Sequence, residues 1–527
     1  MKEELLTYCK EQNVLLDGFL LEIFVKTNNL ENIKIIIDKL KNNFQKRFIS
    51  LDLINQNKLF TKKLLSELFY ENKEILNILL ENLNLKEFIE EKKEIKQEVN
   101  VESKVKISSS YMKQGKSLEV KDFVEHFKSR YIELSNILQE RPELENLTSI
   151  SKISDDKQKI SVIGMIVEKK QTKNKNVIIE IEDLTGRMKV LISSQKEDLL
   201  KEADDIALDS VIAFKGLGNK DILFANEIIF PETRLFERKK SPIEEYALFT
   251  GDLHYGSKKF MEKSFLKFIE YLNGKIPDTP EVEKIKYLFI VGDLITGVGN
   301  YPNQEEDLVI QDLEEQFQKM ADLLSKIRQD IKIIICPGNH DGVRLMEPQP
   351  ILDEKYSWPL YELPNVIITE NPSYVTIGER PNFSGITVLC YHGFSFPYYA
   401  NNVPKLMIEK TMNSPEKIMK YLLKNRHLAP THASNQYFPS DKDALLIRKV
   451  PDIFVSGHTH KSGVIYENNV MIVSSSTWEG MTPYQEKFGN KPDHCKVPMV
   501  NLKTRAVKIL DFEVEEEGIK VYKEDEE

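Results

Sequence analysis

Between residues 243 and 512 five apolar runs end in the same way, and that repetition limits the fold more than any other feature of the chain. "ALFTGDLHYGS" (247–257) closes on Asp252 and His254, and "YLFIVGDLITG" (287–297) closes on Gly292 and Asp293. "KIIICPGNHDG" (332–342) delivers Asn339, His340 and Asp341, "ITVLCYHGFS" (386–395) delivers His392, and "DIFVSGHTHKSG" (452–463) delivers His458 and His460. Runs of this length, alternating with amphipathic stretches, read as buried strands interleaved with helices in an α/β sandwich. Taken alone, the third run is ordinary turn chemistry, since Gly, Asn and Asp commonly follow a short strand. Its company changes that reading. Five of the nine histidines fall in these strand ends, and the carboxyl ends of strands are where open α/β sheets gather their sites.

The donor chemistry is specific. Asp252, His254, Asp293, Asn339, His392, His458 and His460 offer oxygen and imidazole ligands without a thiolate. That set is too large for one tetrahedral zinc and suits two borderline divalent ions in five- or six-fold coordination. In an extended segment residues two apart point the same way, so Asp252 and His254 can face one ion. A carboxylate can bridge two cations, and a pair of cations about 3.5–4 Å apart is the usual clamp for phosphoryl chemistry.

Length and composition bound the rest. At 527 residues the chain exceeds one core, and roughly three or four domains are expected. The formal charge of −10 excludes a generally basic nucleic-acid coat but leaves room for a local basic groove. No run of about 18 apolar residues points to a membrane span. The start, "MKEELLTYCKEQ", has no signal-peptide core, so a cytoplasmic location is expected. Four scattered cysteines exclude a CxxC zinc site and a dense disulfide framework.

Periodicity divides the chain further. Residues 1–90 carry apolar positions at three- and four-residue intervals, which predicts a helical N-terminal domain for protein contact. The charged, serine-ended stretch 91–116 reads as a flexible linker. Residues 117–155 form a helical segment, either a helix pair or one long helix, with His126 expected on its solvated face. Between 156 and 235 the period drops to two. Strands over 159–168, 176–182 and 187–193, a helical piece over 195–205 and strands near 210–216 and 221–229 follow the order of an OB-fold β-barrel. Its loop "KKQTKNKN", with Lys169, Lys170, Lys173 and Lys175, suits a phosphate backbone or is a solvated hairpin tip. Aromatics suited to base stacking are few there (Phe214, Phe224 and Phe230). Residues 236–515 make the α/β domain, and 516–527 an acidic, solvated tail.

The order DxH, GD, GNHD, H, GHTH resembles the five motifs of the calcineurin-like metallophosphoesterases. That resemblance implies a four-layer α/β sandwich with one metal on Asp252, His254 and His460. It puts the other on Asn339, His392 and His458, with Asp293 bridging. It implies that His340 contacts the scissile phosphate and assists the leaving oxygen while Asp341 orients its imidazole. Over roughly 120–510, "GDLITGVGNYPNQEEDL", "GNHDGVRLMEPQP", "RHLAPTHASN", "VPDIFVSGHTHKSGVIYENN" and "STWEGMTPYQ" resemble the small subunits of archaeal family D DNA polymerases. That likeness implies a 3′→5′ exonuclease that proofreads for a separate large catalytic subunit. Its substrate would be single-stranded or mismatched 3′ ends of DNA, and a sliding clamp is a further candidate partner. Two divalent ions are implied, Mn²⁺ foremost with Zn²⁺, Fe²⁺ and Mg²⁺ as alternatives. One departure stands out: family members commonly carry an aspartate three residues after the GD aspartate, where this chain has Thr296.

Other residues have plainer readings. Arg344 either meets a DNA phosphate or pairs with an acid; His427 and His432, near the last motif but outside the ligand pattern, either contact substrate or, as the plainer expectation, belong to a surface loop. His494 and Cys495 lack partners for a metal, and Trp478 packs rather than stacks on bases. Two other functions compete with the exonuclease: a non-catalytic scaffold or processivity subunit with a structural metal site, and a stand-alone phosphatase or cyclic-nucleotide phosphodiesterase. A non-ligand His340 beside the ligands argues against the first, and the attached barrel and linker argue against the second.

Overall fold

The computed structural model describes residues 2–12, 14–27, 29–44, 48–51, 54, 61, 65, 76, 79, 80, 83, 104–108, 118–232, 235–487, 489, 491–514 and 520–523. The chain divides into two compact units, Met1–Asn100 and Val101–Glu527. In the first, helices Lys2–Glu11, Gly18–Lys26 and Leu30–Phe44 accompany two short parallel strands, β1 (Leu15–Leu16) and β2 (Phe48–Ile49). Ile33, Ile36, Ile37 and Leu40 repeat at helical spacing and are buried with Leu20 and Phe24. The Asp17 carboxylate accepts the Phe19 N–H at 2.8 Å and caps the second helix.

The second unit opens with a correction. The expected linker 91–116 contains β3 (Lys104–Ser108), a strand whose alternating lysines and apolar residues form a period-two pattern hidden inside a charged run. Next comes one helix, Val120–Gln139, rather than a pair. Its buried stripe, His126, Arg130, Leu134 and Leu138, is spaced every four residues and includes two basic side chains. His126 is therefore buried, not solvated as expected.

A closed five-stranded barrel follows. Its strands are β4 (Gln158–Gln171), β5 (Val177–Glu182), β6 (Arg187–Ile192), β7 (Val211–Gly218) and β8 (Ile222–Ile229), with the helix Glu197–Asp204 between β6 and β7. The order around the barrel is β4-β5-β6-β8-β7. Alternate positions (Ile179 and Ile181, Val190 and Ile192, Ile212 and Phe214) fill its interior, so closure follows from the period-two pattern. Gly164 on β4 lets Ile181 cross the barrel: a Cβ there would lie 2.7 Å from the Ile181 Cβ.

The remaining chain builds two facing sheets. The seven-stranded sheet contains β9 (Tyr246–Thr250), β10 (Ile285–Val291), β11 (Lys332–Cys336), β12 (Val366–Ile368), β18 (Lys496–Asn501), β19 (Val507–Asp511) and β20 (Lys520–Lys523), in the order β12-β11-β10-β9-β18-β19-β20. The six-stranded sheet contains β3, β13 (Ser373–Glu379), β14 (Ile386–Cys390), β15 (Ile453–Ser456), β16 (Gly463–Glu467) and β17 (Val470–Ser474), in the order β16-β17-β15-β14-β13-β3. Phe249, Phe289 and Ile334 of one sheet meet Val375, Val388, Ile453 and Val455 of the other in a buried central layer. On the outer face of the first sheet, Leu248, Leu288 and Ile333 pack against helices Glu262–Leu272 and Leu313–Leu324. On the second, Leu389, Phe454 and Ile472 pack against Phe396–Asn402 and Pro415–Asn425. The result is helix, sheet, sheet, helix. Both faces of each central strand are covered, which is why these strands read as continuous apolar runs rather than alternating ones. In the expected acidic tail, four residues instead form β20, antiparallel to β19. Among the described residues no helix is long and apolar enough to cross a membrane.

Candidate metal centre

β9, β10 and β11 are parallel neighbours, and so are β14 and β15. Their carboxyl ends place Asp252, His254, Asp293, Asn339, His392, His458 and His460 in one cluster. Asp252, His254 and His460 bring ligand atoms within 4.8 Å of one another, and so do Asp293, His392 and His458. The Nε2 atoms of His254 and His460 are 3.1 Å apart, and His460 Nε2 lies 3.5 Å from Asp252 Oδ1. His392 Nε2 lies 3.1 Å from Asn339 Oδ1. Asp293 stands between the groups: its Oδ2 is 3.9 Å from His254 Nε2 and 3.2 Å from His392 Nε2. One carboxylate oxygen thus faces both halves of the site.

The backbone is bent to achieve this. Asp252, His254, Asp293, His458 and His460 all have φ between 49° and 69°. Non-glycine residues rarely adopt that left-handed region, and each costs on the order of 1 kcal/mol or more. Two glycines make room. A Cβ on Gly292, which has φ +84°, would lie 2.0 Å from His392 Nδ1, and one on Gly338 would lie 2.3 Å from Asp293 Oδ1. Any side chain at either position would displace a ligand.

Charge in the cluster is unevenly distributed. Burial opposes ionisation of Asp293, yet His392 and His340 beside it hold its carboxyl well below the usual range. Burial pushes His254 well below its ordinary value and takes His458 down to about 3, with His392 adding to the latter. For His392 burial is outweighed by the Asp293 carboxylate, which carries it up to about 10. The cluster thus sets an ionised carboxylate beside two imidazoles stripped of protons, His254 and His458, and two raised by carboxylates, His392 by Asp293 and His460 by Asp252, from which a bound cation would displace the proton. Asp252, His254, Asp293 and His392 form a buried floor. Asn339, His340, His458 and His460 are half-buried and line the mouth.

His340 lies at that mouth, with its ring 4.9 Å from that of His254. Its backbone N–H donates to Asp293 Oδ1 at 2.8 Å, and its Nδ1 is 2.8 Å from the Thr296 carbonyl oxygen. Asp341 does not orient that ring, contrary to expectation. Its two oxygens accept the Ile295 and Gly338 N–H groups at 3.0 and 2.8 Å, tying together the turns after β10 and β11. Burial and the Asp293 charge raise this carboxyl to about 7. Successive side chains diverge in the turn, so Asp341 points inward while His340 points to the mouth. Thr296 does the orienting with its carbonyl, while its hydroxyl donates to the His254 carbonyl at 2.7 Å.

The basic candidates divide. Lys169 Nζ donates to the carbonyls of Ala203, Asp204 and Ile206, at 2.5, 3.4 and 3.3 Å, and finishes the helix Glu197–Asp204. It is spent inside the barrel and is not a phosphate contact. Lys170 pairs with Glu168 at 2.5 Å and stays exposed. Lys173 and Lys175 are exposed on the hairpin tip. Arg344 donates to the Pro348 carbonyl at 2.7 Å and lies 3.7 Å over the Phe438 ring, with the Glu370 charge acting on it, so it packs a loop beside an acid. Phe214 and Phe230 are buried, leaving Phe224 exposed among the barrel aromatics considered for stacking.

Sequence reasoning missed a second buried cluster. Asp443 Oδ2 meets Arg130 Nε at 2.6 Å, His427 Nε2 at 2.8 Å and His126 Nε2 at 3.2 Å. His427 is therefore buried rather than on a surface loop; His432 is exposed, and its N–H donates to Asp209 at 2.9 Å. Arg130 also donates to the Pro430 and Asp209 carbonyls, at 2.6 and 3.3 Å. One guanidinium thus joins the helix Val120–Gln139, the barrel and the α/β domain. Trp478 is fully buried, its Nε1 donating to Thr250 at 2.7 Å.

A family model described as calcineurin-like phosphoesterase matches residues 247–462, the span that holds all seven ligand candidates. The chain is 38% identical over 422 residues to the DNA polymerase II small subunit of Pyrococcus furiosus, covering 77% of this chain and 67% of that one. It is 37% identical over 438 residues to the protein of that name from Pyrococcus abyssi, with 80% and 68% covered. The Methanothermobacter thermautotrophicus protein of the same name is 34% identical over 410 residues, with 77% and 82% covered. The phosphoesterase module and this likeness along most of the sequence place the chain in the family of archaeal DNA polymerase II small subunits.

Proposed function

We propose that this chain is the 3′→5′ exonuclease of a two-subunit archaeal DNA polymerase, hydrolysing phosphodiesters at single-stranded or mismatched 3′ ends and docking the large subunit. The observation that carries the proposal is the placement of His340, a half-buried imidazole at the mouth of the cluster with a ring nitrogen within 4.8 Å of ligand atoms of His254 and Asp293 and its Nδ1 on the Thr296 carbonyl, which we read as the acid rather than a ligand. A purely structural metal site has no use for it.

The donor set fits two divalent ions, Mn²⁺ foremost: Asp252, His254 and His460 for one, Asn339, His392 and His458 for the other, and Asp293 for both. Such a pair supplies Lewis acidity, an activated water and charge opposite the attacking and leaving oxygens of an in-line displacement. The protein does the rest. The Thr296 carbonyl accepts from His340 Nδ1–H, so Nε2 faces the mouth, where it can protonate the leaving 3′ oxygen. Gly292 and Gly338 keep the floor at contact distance, and the buried Asp252, His254, Asp293 and His392 exclude water from behind the site. We read the closed barrel as an OB-fold whose exposed tip, Lys170, Lys173 and Lys175, meets the DNA backbone. The N-terminal helices are then a protein-contact domain, and a sliding clamp is a further partner.

Incubating the purified chain with Mn²⁺ and 3′-labelled DNA tests the activity, and co-purification with the large subunit tests the docking. An inactive chain that still binds the large subunit would favour the scaffold reading instead.

A further inference from the structure

The segment "STWEGMTPYQ" (475–485 when its preceding serine is included) supplies none of the ligands, yet it touches one of them. Gln485 Nε2 lies 2.7 Å from His460 Nδ1. The same side chain is also half of a capping box on the short helix Pro483–Lys487: Gln485 Oε1 accepts the Thr482 N–H at 3.0 Å, and Thr482 Oγ1 accepts the Gln485 N–H at 3.3 Å. His460 is held from a second side, because the Asp493 N–H donates to its carbonyl at 2.8 Å.

These contacts conflict with metal binding in one respect. To ligate through Nε2, which faces Asp252 and His254, His460 must carry its proton on Nδ1 and donate it. The Gln485 atom opposite Nδ1 is its NH₂ group, itself a donor. Turning the amide over would present Oε1 to His460 but would set the NH₂ against the Thr482 N–H. One amide cannot accept from both. A carboxylate at this position can, since both its oxygens accept.

We propose that Gln485 is a positioning residue for His460 whose amide is shared between the metal centre and the cap of the helix Pro483–Lys487, so that loading the Asp252–His254–His460 site loosens that cap. The inference rests on the dinuclear reading above.

Mn²⁺ titration of the full chain by calorimetry, for wild type, Gln485→Glu, Gln485→Ala and Asp293→Ala, decides the matter without an activity assay. Loss of a partner to a ligating histidine typically costs about 10–100-fold in metal affinity. The expected order at one of two sites is therefore Gln485→Glu tightest, wild type next and Gln485→Ala weakest by at least about tenfold. Gln485→Ala binding as tightly as wild type would overturn the proposal, as would Gln485→Glu binding no better than Gln485→Ala. Thermal unfolding in chelator shows that each variant is folded, and Gln485→Glu, which keeps the capping box, serves should Gln485→Ala fail to fold. Wild type that binds no Mn²⁺ overturns the dinuclear reading and this proposal together, whereas wild type that binds two ions with all Gln485 variants alike overturns this proposal only.

Discussion

His340 Nδ1 lies 2.8 Å from the carbonyl oxygen of Thr296, a backbone atom, and the neighbouring Asp341 carboxylate faces away into the turns it ties together. The nearest group to that Nδ1 is thus a backbone atom, with the Asn300 amide beside it at 3.2 Å, and neither belongs to Asp341.

This separates two neighbouring variants. His340→Ala should lower kcat by about 10²- to 10⁴-fold and leave Mn²⁺ binding intact, as calorimetry beside kinetics would show. Asp341→Asn sets an NH₂ against one of two backbone N–H groups and should cost about 1–3 kcal/mol of stability. A lower Tm with a smaller loss of kcat than His340→Ala is expected; unchanged Tm with lost turnover would restore the orienting role to Asp341.

Much of this was legible in the sequence, for a physical reason. Strands covered on both faces read as unbroken apolar runs, and ligands at their ends are only two to four residues beyond them, so His254, Asp293 and His392 stand out. The barrel was legible because its interior fills at period two, as at Ile179 and Ile181. Asp443, Arg130 and His126 were not, because their partners are about 300 residues apart and no local pattern marks a buried charge. Lys169 misled for a related reason: a lysine beside a basic loop looks solvated until the helix end it caps is placed against it. Backbone acceptors such as the Thr296 carbonyl leave no trace in residue identity at all.

The Arg130–Asp443 pair should be a strong determinant of stability. Arg130 and Asp443 are fully buried; burial opposes the Asp443 charge, but Arg130 and His427 hold its carboxyl well below the usual range. Asp443→Asn leaves the guanidinium without its counter-charge and should destabilise the chain by about 3–5 kcal/mol. Denaturant unfolding would check this, and a change below about 1 kcal/mol would mean the cluster is not held as described.

Glu347 predicts a pH dependence of the opposite sign from most carboxylates. Burial raises its carboxyl to about 8, despite hydrogen bonds from Tyr391 and Asn435. The folded state then binds a proton that the unfolded state has released. This stability contribution is complete below about pH 4.5 and declines as pH rises to about 8, with a slope approaching ~1.4 kcal/mol per pH unit. Glu347→Gln should flatten that part of the profile, measured as Tm from pH 5 to 8 against wild type.

Lys169→Met should lower the stability of the barrel, because three carbonyls lose their donor, and should leave the affinity for single-stranded DNA unchanged. Replacing Lys170, Lys173 and Lys175 together with Ser should do the reverse, weakening DNA binding and its salt dependence. Filter binding at two salt concentrations, with Tm measured alongside, distinguishes the two.

The most direct test of the whole account uses Mn²⁺ and DNA with a labelled strand carrying a 3′ mismatch, and compares the full chain with His340→Ala and Asp293→Ala. The expected result is stepwise removal of nucleotides from the 3′ end by wild type and loss of that activity in both variants, with Mn²⁺ binding lost only in Asp293→Ala. Equal degradation by all three proteins, or none by a wild-type chain that binds its ions, would contradict it.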